Sequence, residues 1–309
     1  MTTAVEVPKA GSNQTTAQEL ALLNQQKHDG RWWLGKIGSI VGMAFIVIYC
    51  LLPFYWMVIS SFRLPTMGQS TDYWPSPASI ENYTGVFSEQ NNFFRAILNS
   101  VVISVTTTVL TLVFGIVGAY ALARLRFAAK GLVLSLIIGA SMFPGVTLLV
   151  PLFKMFTGTY DWFPNWLNTY QAAIIPSLSF GLPLAVWNLT AFFRQLPVEL
   201  EQAAMVDGCT PGEAFRKVIL PLAAPGVFTT AILTFIAVWN EYMIALSFLQ
   251  SRDMKTATVA LSQFTGNLGY NIPYGSIMAA GVITTIPLLI LVLFFQRRIV
   301  AGLTAGGVK

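Results

Sequence analysis

Arg194-Gln-Leu-Pro-Val-Glu-Leu-Glu-Gln-Ala-Ala-Met-Val-Asp-Gly-Cys-Thr-Pro-Gly-Glu-Ala-Phe-Arg-Lys-Val-Ile-Leu-Pro221 is a charged stretch set between two long apolar runs. It is too long and too ordered in its chemistry for a simple connector. Pro197 opens a short helix whose early acids, Glu199 and Glu201, suit the positive end of a helix dipole. Gly208 stands where such a helix closes with left-handed backbone. Thr210-Pro-Gly-Glu213 reads as a capping box with proline at the first helical position, so a second helix starts at once. Pro221 is expected to end it. The product is a helix–turn–helix elbow with Ala203 and Ala204 expected on its exposed surface, where small side chains let a partner approach. This is a docking element.

Outward from the elbow, the chain has 309 residues, 55% apolar and only 10% charged. A soluble domain carries about 25% charged residues, so most of this chain must face lipid or other helices. Crossing a bilayer takes about 20 apolar residues. Charge-free runs of at least that length occur at 37–62, 97–123, 132–153 and 162–193; a fifth run, about 222–249, is interrupted only by Glu241. A last run at 256–296 starts as a Gly/Asn/Pro loop, and its span starts near Gly275. The expected fold is an all-α polytopic membrane protein of about six transmembrane helices, at about 37–60, 97–123, 132–153, 172–193, 222–249 and 275–296. Residues 1–35 are expected to form a flexible polar tail, with one helical stretch near 17–26, and 301–309 a short C-terminal tail. The apolar run after residue 35 is too long for a secretory signal.

Charge placement sets the orientation. With the N-terminus inside, five of the 18 Lys and Arg (Arg63, Arg95, Lys154, Arg252, Lys255) fall on outer segments and all the others on inner ones. Six spans with both ends in the cytoplasm satisfy this bias, and Trp32 and Trp33 beside Arg31 and Lys36 fit an inner interfacial anchor. Pro144, Pro151, Pro176, Pro183 and Pro287 punctuate the spans, which a membrane bundle tolerates.

Several function classes are excluded. The net charge of +5 is scattered between apolar runs, which argues against nucleic-acid binding. Cys50 and Cys209 form neither a disulfide framework nor a metal pair, and the one histidine, His28, lies in the polar tail. No phosphate-binding GxxxxGK[ST] loop is present, so any ATP must be bound by another chain. A membrane-embedded enzyme would need a nucleophile with a matched base or clustered carboxylates. A secondary carrier would place several ionisable groups within its spans, whereas only Glu241 is clearly intramembrane.

The elbow resembles the EAA loop of binding-protein-dependent ABC importer permeases, whose pattern is Glu-Ala-Ala, a glycine, then Ile-x-Leu-Pro. Ala203, Ala204, Gly208, Leu220 and Pro221 match it in spacing; Gln202 replaces the family's Glu and Val218 its Ile. Asn99-Ser100, Ala119-Tyr-Ala-Leu-Ala-Arg-Leu-Arg-Phe127, Trp239-Asn-Glu241 and the ending from Gln296 resemble the carbohydrate branch, of maltose and trehalose type. The resemblance runs from about residue 37 to the end. It implies a permease that moves an α-linked disaccharide, trehalose or maltose, by alternating access. It also implies a second permease, two ATPase subunits that use ATP and Mg, and an extracytoplasmic sugar-binding protein. This chain would bind no cofactor and no metal, and would perform no catalysis itself. Other solutes, such as polyols, glycerol phosphate or oligopeptides, remain open. By the same resemblance, Glu199, Glu201, Gln202, Ala203, Ala204, Asp207, Gly208 and Phe215 couple to the ATPase. Gly302, Thr304, Gly306 and Gly307 reach between the ATPase subunits. Trp239, Asn240 and Glu241 are candidates for the translocation path, because hydroxyls need hydrogen-bond partners and sugar rings stack on aromatic faces.

Overall fold

The computed structural model describes residues 30–67, 70–89, 91–160, 162–264 and 273–307, with the backbone alone at 30–32 and 296–307. The polar tail up to residue 29 lies outside these residues. The described residues are helical, joined by loops and one isolated bridge between Arg63 and Ala78. Four helices are long and apolar enough to cross a membrane, or six if each of two bent pairs counts as one span.

Helix α1, Gly30–Ser61, has 32 residues and is about 48 Å long, enough to cross a bilayer with its headgroups. It starts within the stretch expected to be tail, and Lys36 lies over the Trp33 ring at 5.7 Å. A short helix α2, Glu81–Val86, follows. Helix α3, Phe93–Arg124, is the second span and α6, Tyr170–Gln195, the fourth. These two form the most extensive helix pair, with α9, Ala224–Trp239, lying against both. The helices lie close here: a Cβ at Gly115 would stand in ordinary contact with Leu189 at 3.5 Å and Ala185 at 3.6 Å. Without a hydrophobic drive between helices in lipid, close approach of this kind supplies much of the association energy.

The third span is not one straight helix. It splits into α4, Lys130–Ser141, and a second segment, Gly145–Phe156, whose α-helical part is α5, Leu149–Phe156; the bend between them is 83°. Pro144 offers no N–H and disfavours helical backbone before it, so the first helix cannot pass through it. The Met142 and Phe143 N–H groups instead turn back to the carbonyls of Gly139 and Ala140. Pro176, Pro183 and Pro287 stay inside continuous helices. The fifth span is also broken: α9 ends at Trp239, and α10, Met243–Phe248, follows. The 16 residues of α9 reach only about 24 Å, short of a bilayer core of about 30 Å, so α9 does not cross alone. Helix α11, Ala257–Ser262, precedes the last helix, α12, which runs Tyr274–Gly307. The segment expected to be a short C-terminal tail is helical as far as Gly307.

Buried polar side chains tie the loops to the bundle. Asn99 donates to the carbonyls of Asp253 at 2.8 Å and Lys255 at 3.0 Å, and accepts from the Tyr170 hydroxyl at 2.8 Å. The Ser100 hydroxyl accepts from the Ala257 N–H at 2.9 Å, and Asn82 donates to the carbonyls of Ser61 and Arg63. All but the Tyr170 bond satisfy a backbone group, which lipid could not do. At the start of α9, a Cβ on Gly226 would stand 2.4–2.7 Å from three ring carbons of Phe192. Gly226→Ala is therefore expected to overpack the site and cost about 1–3 kcal/mol. Thermal unfolding in detergent checks this: a lower melting temperature is expected, partly recovered by adding Phe192→Ala.

Candidate functional site

The elbow consists of α7, Val198–Val206, and α8, Pro211–Leu222. Helix α7 closes in a Schellman motif. The Gly208 N–H donates to the Met205 carbonyl at 3.1 Å and the Cys209 N–H to the Ala204 carbonyl at 3.0 Å. Gly208 carries φ +93°, a conformation that glycine adopts without penalty. Thr210 and Glu213 make the expected capping box with Pro211 at the first position. Lys217 donates to Glu213 at 2.8 Å, and with the Thr210 N–H and hydroxyl holds that carboxyl down at about 2. A depressed carboxyl stabilises above its ordinary range, and that help is lost only as pH falls from about 4.5 towards 2. The capping box therefore stays intact at any physiological pH.

Pro221 is the penultimate residue of α8, so the helix ends within one residue of the expected place. The helix passes through a wide π turn at Phe215–Ile219, then Leu220–Leu222, before a 70° bend into α9.

The two faces of α7 differ. Glu199, Gln202, Ala203 and Val206, spaced as one helical stripe, are exposed, and Val206 is 87% exposed. Asp207 is exposed beside them. Ala204 is buried rather than displayed, because it turns with Glu201 towards the bundle. Glu201 meets Arg124 at the end of α3, with Oε2 3.5 Å from Nε, and accepts from the Tyr120 hydroxyl. Arg124 also donates to the Leu196 carbonyl at 2.8 Å. Phe215 is half-buried against the Tyr120 ring, centroids 4.4 Å apart. Tyr120 and Arg124 lie in the stretch that resembles the carbohydrate branch but had no site role there; they stand one helical turn apart at the end of a span. What the geometry offers is an exposed apolar and acidic stripe on a rigid elbow anchored to the membrane bundle.

Residues 111–304 match the family described as "Binding-protein-dependent transport system inner membrane component". The chain belongs to this family. It is a transport subunit, a multi-pass membrane permease. It is 44% identical over 266 residues to the trehalose transport system permease protein SugB of Mycobacterium tuberculosis, covering 85% of this chain and 94% of the relative. It is 40% identical to the trehalose/maltose transport system permease protein MalG of Thermococcus litoralis, covering 89% of this permease and 98% of that one. The sulfoquinovosyl glycerol permease protein SmoH of Agrobacterium fabrum is 38% identical, at 89% and 94% coverage. In fold, the permease matches a bacterial ABC transporter involved in the import of alginate, with a TM-score of 0.72 at 20% identity over 87% of this chain and 98% of that one.

The permease holds a second candidate region at the break after α9. Trp239 is buried at 2% exposure and stacks on Phe235, centroids 5.7 Å apart, so its ring is enclosed by the protein. Asn240 is exposed and donates back to the Ile236 carbonyl at 2.8 Å. Glu241 does not sit in a helix. Its two oxygens accept the N–H groups of Ile244 at 2.9 Å and Ala245 at 3.1 Å, at the start of α10. A cavity of about 180 Å³ adjoins it, lined by Ser177, Phe180, Leu184, Thr234 and Ile244 among others. Phe180, Ser177 and Thr234 were not singled out from sequence, since a lone aromatic or hydroxyl in an apolar run carries no signal. For Gly302, Thr304, Gly306 and Gly307 the structure describes a helical backbone alone.

Proposed function

We propose that this permease carries an α-linked disaccharide, trehalose or maltose, across a bacterial cytoplasmic membrane as one half of a transmembrane pair. The observation that carries the reading is the 44% identity, along 85% of the chain, to a permease named for trehalose transport. The reading includes a second permease, two ATPase subunits and an extracytoplasmic binding protein. The elbow, with both termini, lies on the cytoplasmic side, as the Lys/Arg bias requires. ATP and Mg are bound by the ATPases and no cofactor by this chain. Closure of the ATPases moves the elbow, through the stripe Glu199, Gln202, Ala203 and Val206 with Asp207 beside it, and the two permeases rock between inward-open and outward-open states. Glu241 and the cavity beside Phe180 and Ser177 lie beside the path, where an aromatic face and hydroxyl partners suit a sugar.

The test reconstitutes the whole complex in proteoliposomes and measures ATP-dependent uptake of labelled trehalose, maltose and sulfoquinovosyl glycerol. Uptake of either disaccharide, abolished without the binding protein, is expected; uptake of sulfoquinovosyl glycerol alone would overturn the sugar assignment. In the same system, deleting residues 302–309 is expected to lower uptake while leaving the permease in the membrane. An unchanged rate would remove the C-terminal segment from the ATPase contact.

A further inference from the structure

Glu201 and Arg124 form an ion pair between the elbow and the bundle. Their side chains keep only 12% and 10% of their surface, and they join α7 to the last turn of α3. The link is discrete. A cavity of about 350 Å³ lies between these elements, lined by Tyr120, Arg124, Glu201, Gln202, Met205 and Phe215, so no continuous packing bridges them. What crosses the gap is the carboxylate, one oxygen taking the Tyr120 hydroxyl and the other facing Arg124. Arg124 is itself fixed to the Leu196 carbonyl at the root of the elbow. The rings of Tyr120, Phe193 and Phe215 seat α8 beside the same point.

We propose that Tyr120, Arg124 and Glu201 form the joint through which the elbow moves α3, which makes them positioning residues of the transport cycle. This rests on the reading of the elbow as the ATPase contact. Glu201 is one residue before Gln202, and the two divide the work: 202 faces outward to the partner and 201 fastens inward. Because α3 packs along α6 and α9, a displacement delivered at Arg124 is carried into the bundle core. A largely buried ion pair suits this role because its geometry is directional and removing one partner leaves the other charge uncompensated. Without the joint, the elbow follows the ATPases while α3 stays behind, and ATP is spent without import.

The experiment uses the whole complex in proteoliposomes, reading labelled trehalose or maltose imported per ATP hydrolysed, and co-purification of the ATPase subunits. Arg124→Gln and Glu201→Gln are each expected to lower that ratio about tenfold or more. Tyr120→Phe keeps the ring and loses only the hydroxyl, with an expected fall of about threefold. The exchanged pair, Arg124→Glu with Glu201→Arg, is expected to recover most of the ratio. A role in stability alone would lower import and hydrolysis together and leave the ratio unchanged. A ratio within about twofold of wild type in Arg124→Gln and Glu201→Gln overturns the joint. Where those two fail to reach the membrane, a wild-type ratio in Tyr120→Phe overturns it. Loss of ATPase co-purification from the wild-type permease takes down the docking reading and the joint together. Normal co-purification with an unchanged ratio overturns the joint alone.

Discussion

Gly208→Val is expected to cut ATP-coupled uptake by about tenfold or more while the permease still inserts in the membrane. The physical cause is the backbone and not space, since a Cβ at this position would meet nothing within 4 Å. At φ +93° an L residue pays about 1–2 kcal/mol, and a β-branched one more. The chain escapes that strain by giving up the Schellman bonds from Gly208 and Cys209, which set the angle between α7 and α8. The exposed stripe then no longer meets its partner at a fixed angle. The same argument ranks the variants: Gly208→Asn, which tolerates left-handed backbone, should retain most activity, Gly208→Ala less, and Gly208→Val least. Uptake and ATPase co-purification measure the order. Equal activity in all three would mean that the turn does not set the docking geometry.

The elbow was legible in the sequence because its signals are local. Pro197, Gly208 and the Thr210–Glu213 box each act within a few residues, and the structure has each where the residue chemistry puts it. The face that α7 presents was not legible. Ala203 and Ala204 are neighbours on a short helix, and only the position of Arg124, some eighty residues earlier in the chain, turns Ala204 inward with Glu201. Span length was legible from charge-free runs, but straightness was not. Pro144 breaks its span while Pro176, Pro183 and Pro287 ride inside theirs. The residue type is the same in all four, so the proline alone does not say which span will bend. Pro221 marks a stop that the structure keeps to within one residue, since α8 ends at Leu222 with a 70° bend.

Glu241 shows how a break changes the meaning of a residue. In an unbroken helix an intramembrane acid would face a path or a partner, but at the end of α9 it has a task of its own. Glu241→Ala deletes both acceptors for the Ile244 and Ala245 N–H groups, which open α10. Each unpaired buried donor costs about 1–3 kcal/mol, and in the bilayer no water replaces the lost partner. The Ala variant is therefore expected to lose several degrees of thermal stability in detergent and most of its uptake. Glu241→Gln keeps one carbonyl oxygen, so one N–H stays paired and a smaller loss is expected. Asn240→Ala, whose side chain bonds only back to Ile236, should be milder than either. Normalising uptake to folded complex separates the two roles of the acid. If capping is the whole role, uptake per complex matches wild type in Gln and Ala alike. If the carboxylate also serves the sugar, the Gln variant keeps its melting temperature near wild type but shows a raised KM for trehalose or maltose. The cavity beside Phe180 and Ser177 then extends the contact, and Phe180→Ala is expected to raise the same KM without touching the cap. A normal KM in both Glu241→Gln and Phe180→Ala would confine Glu241 to holding α10 in place.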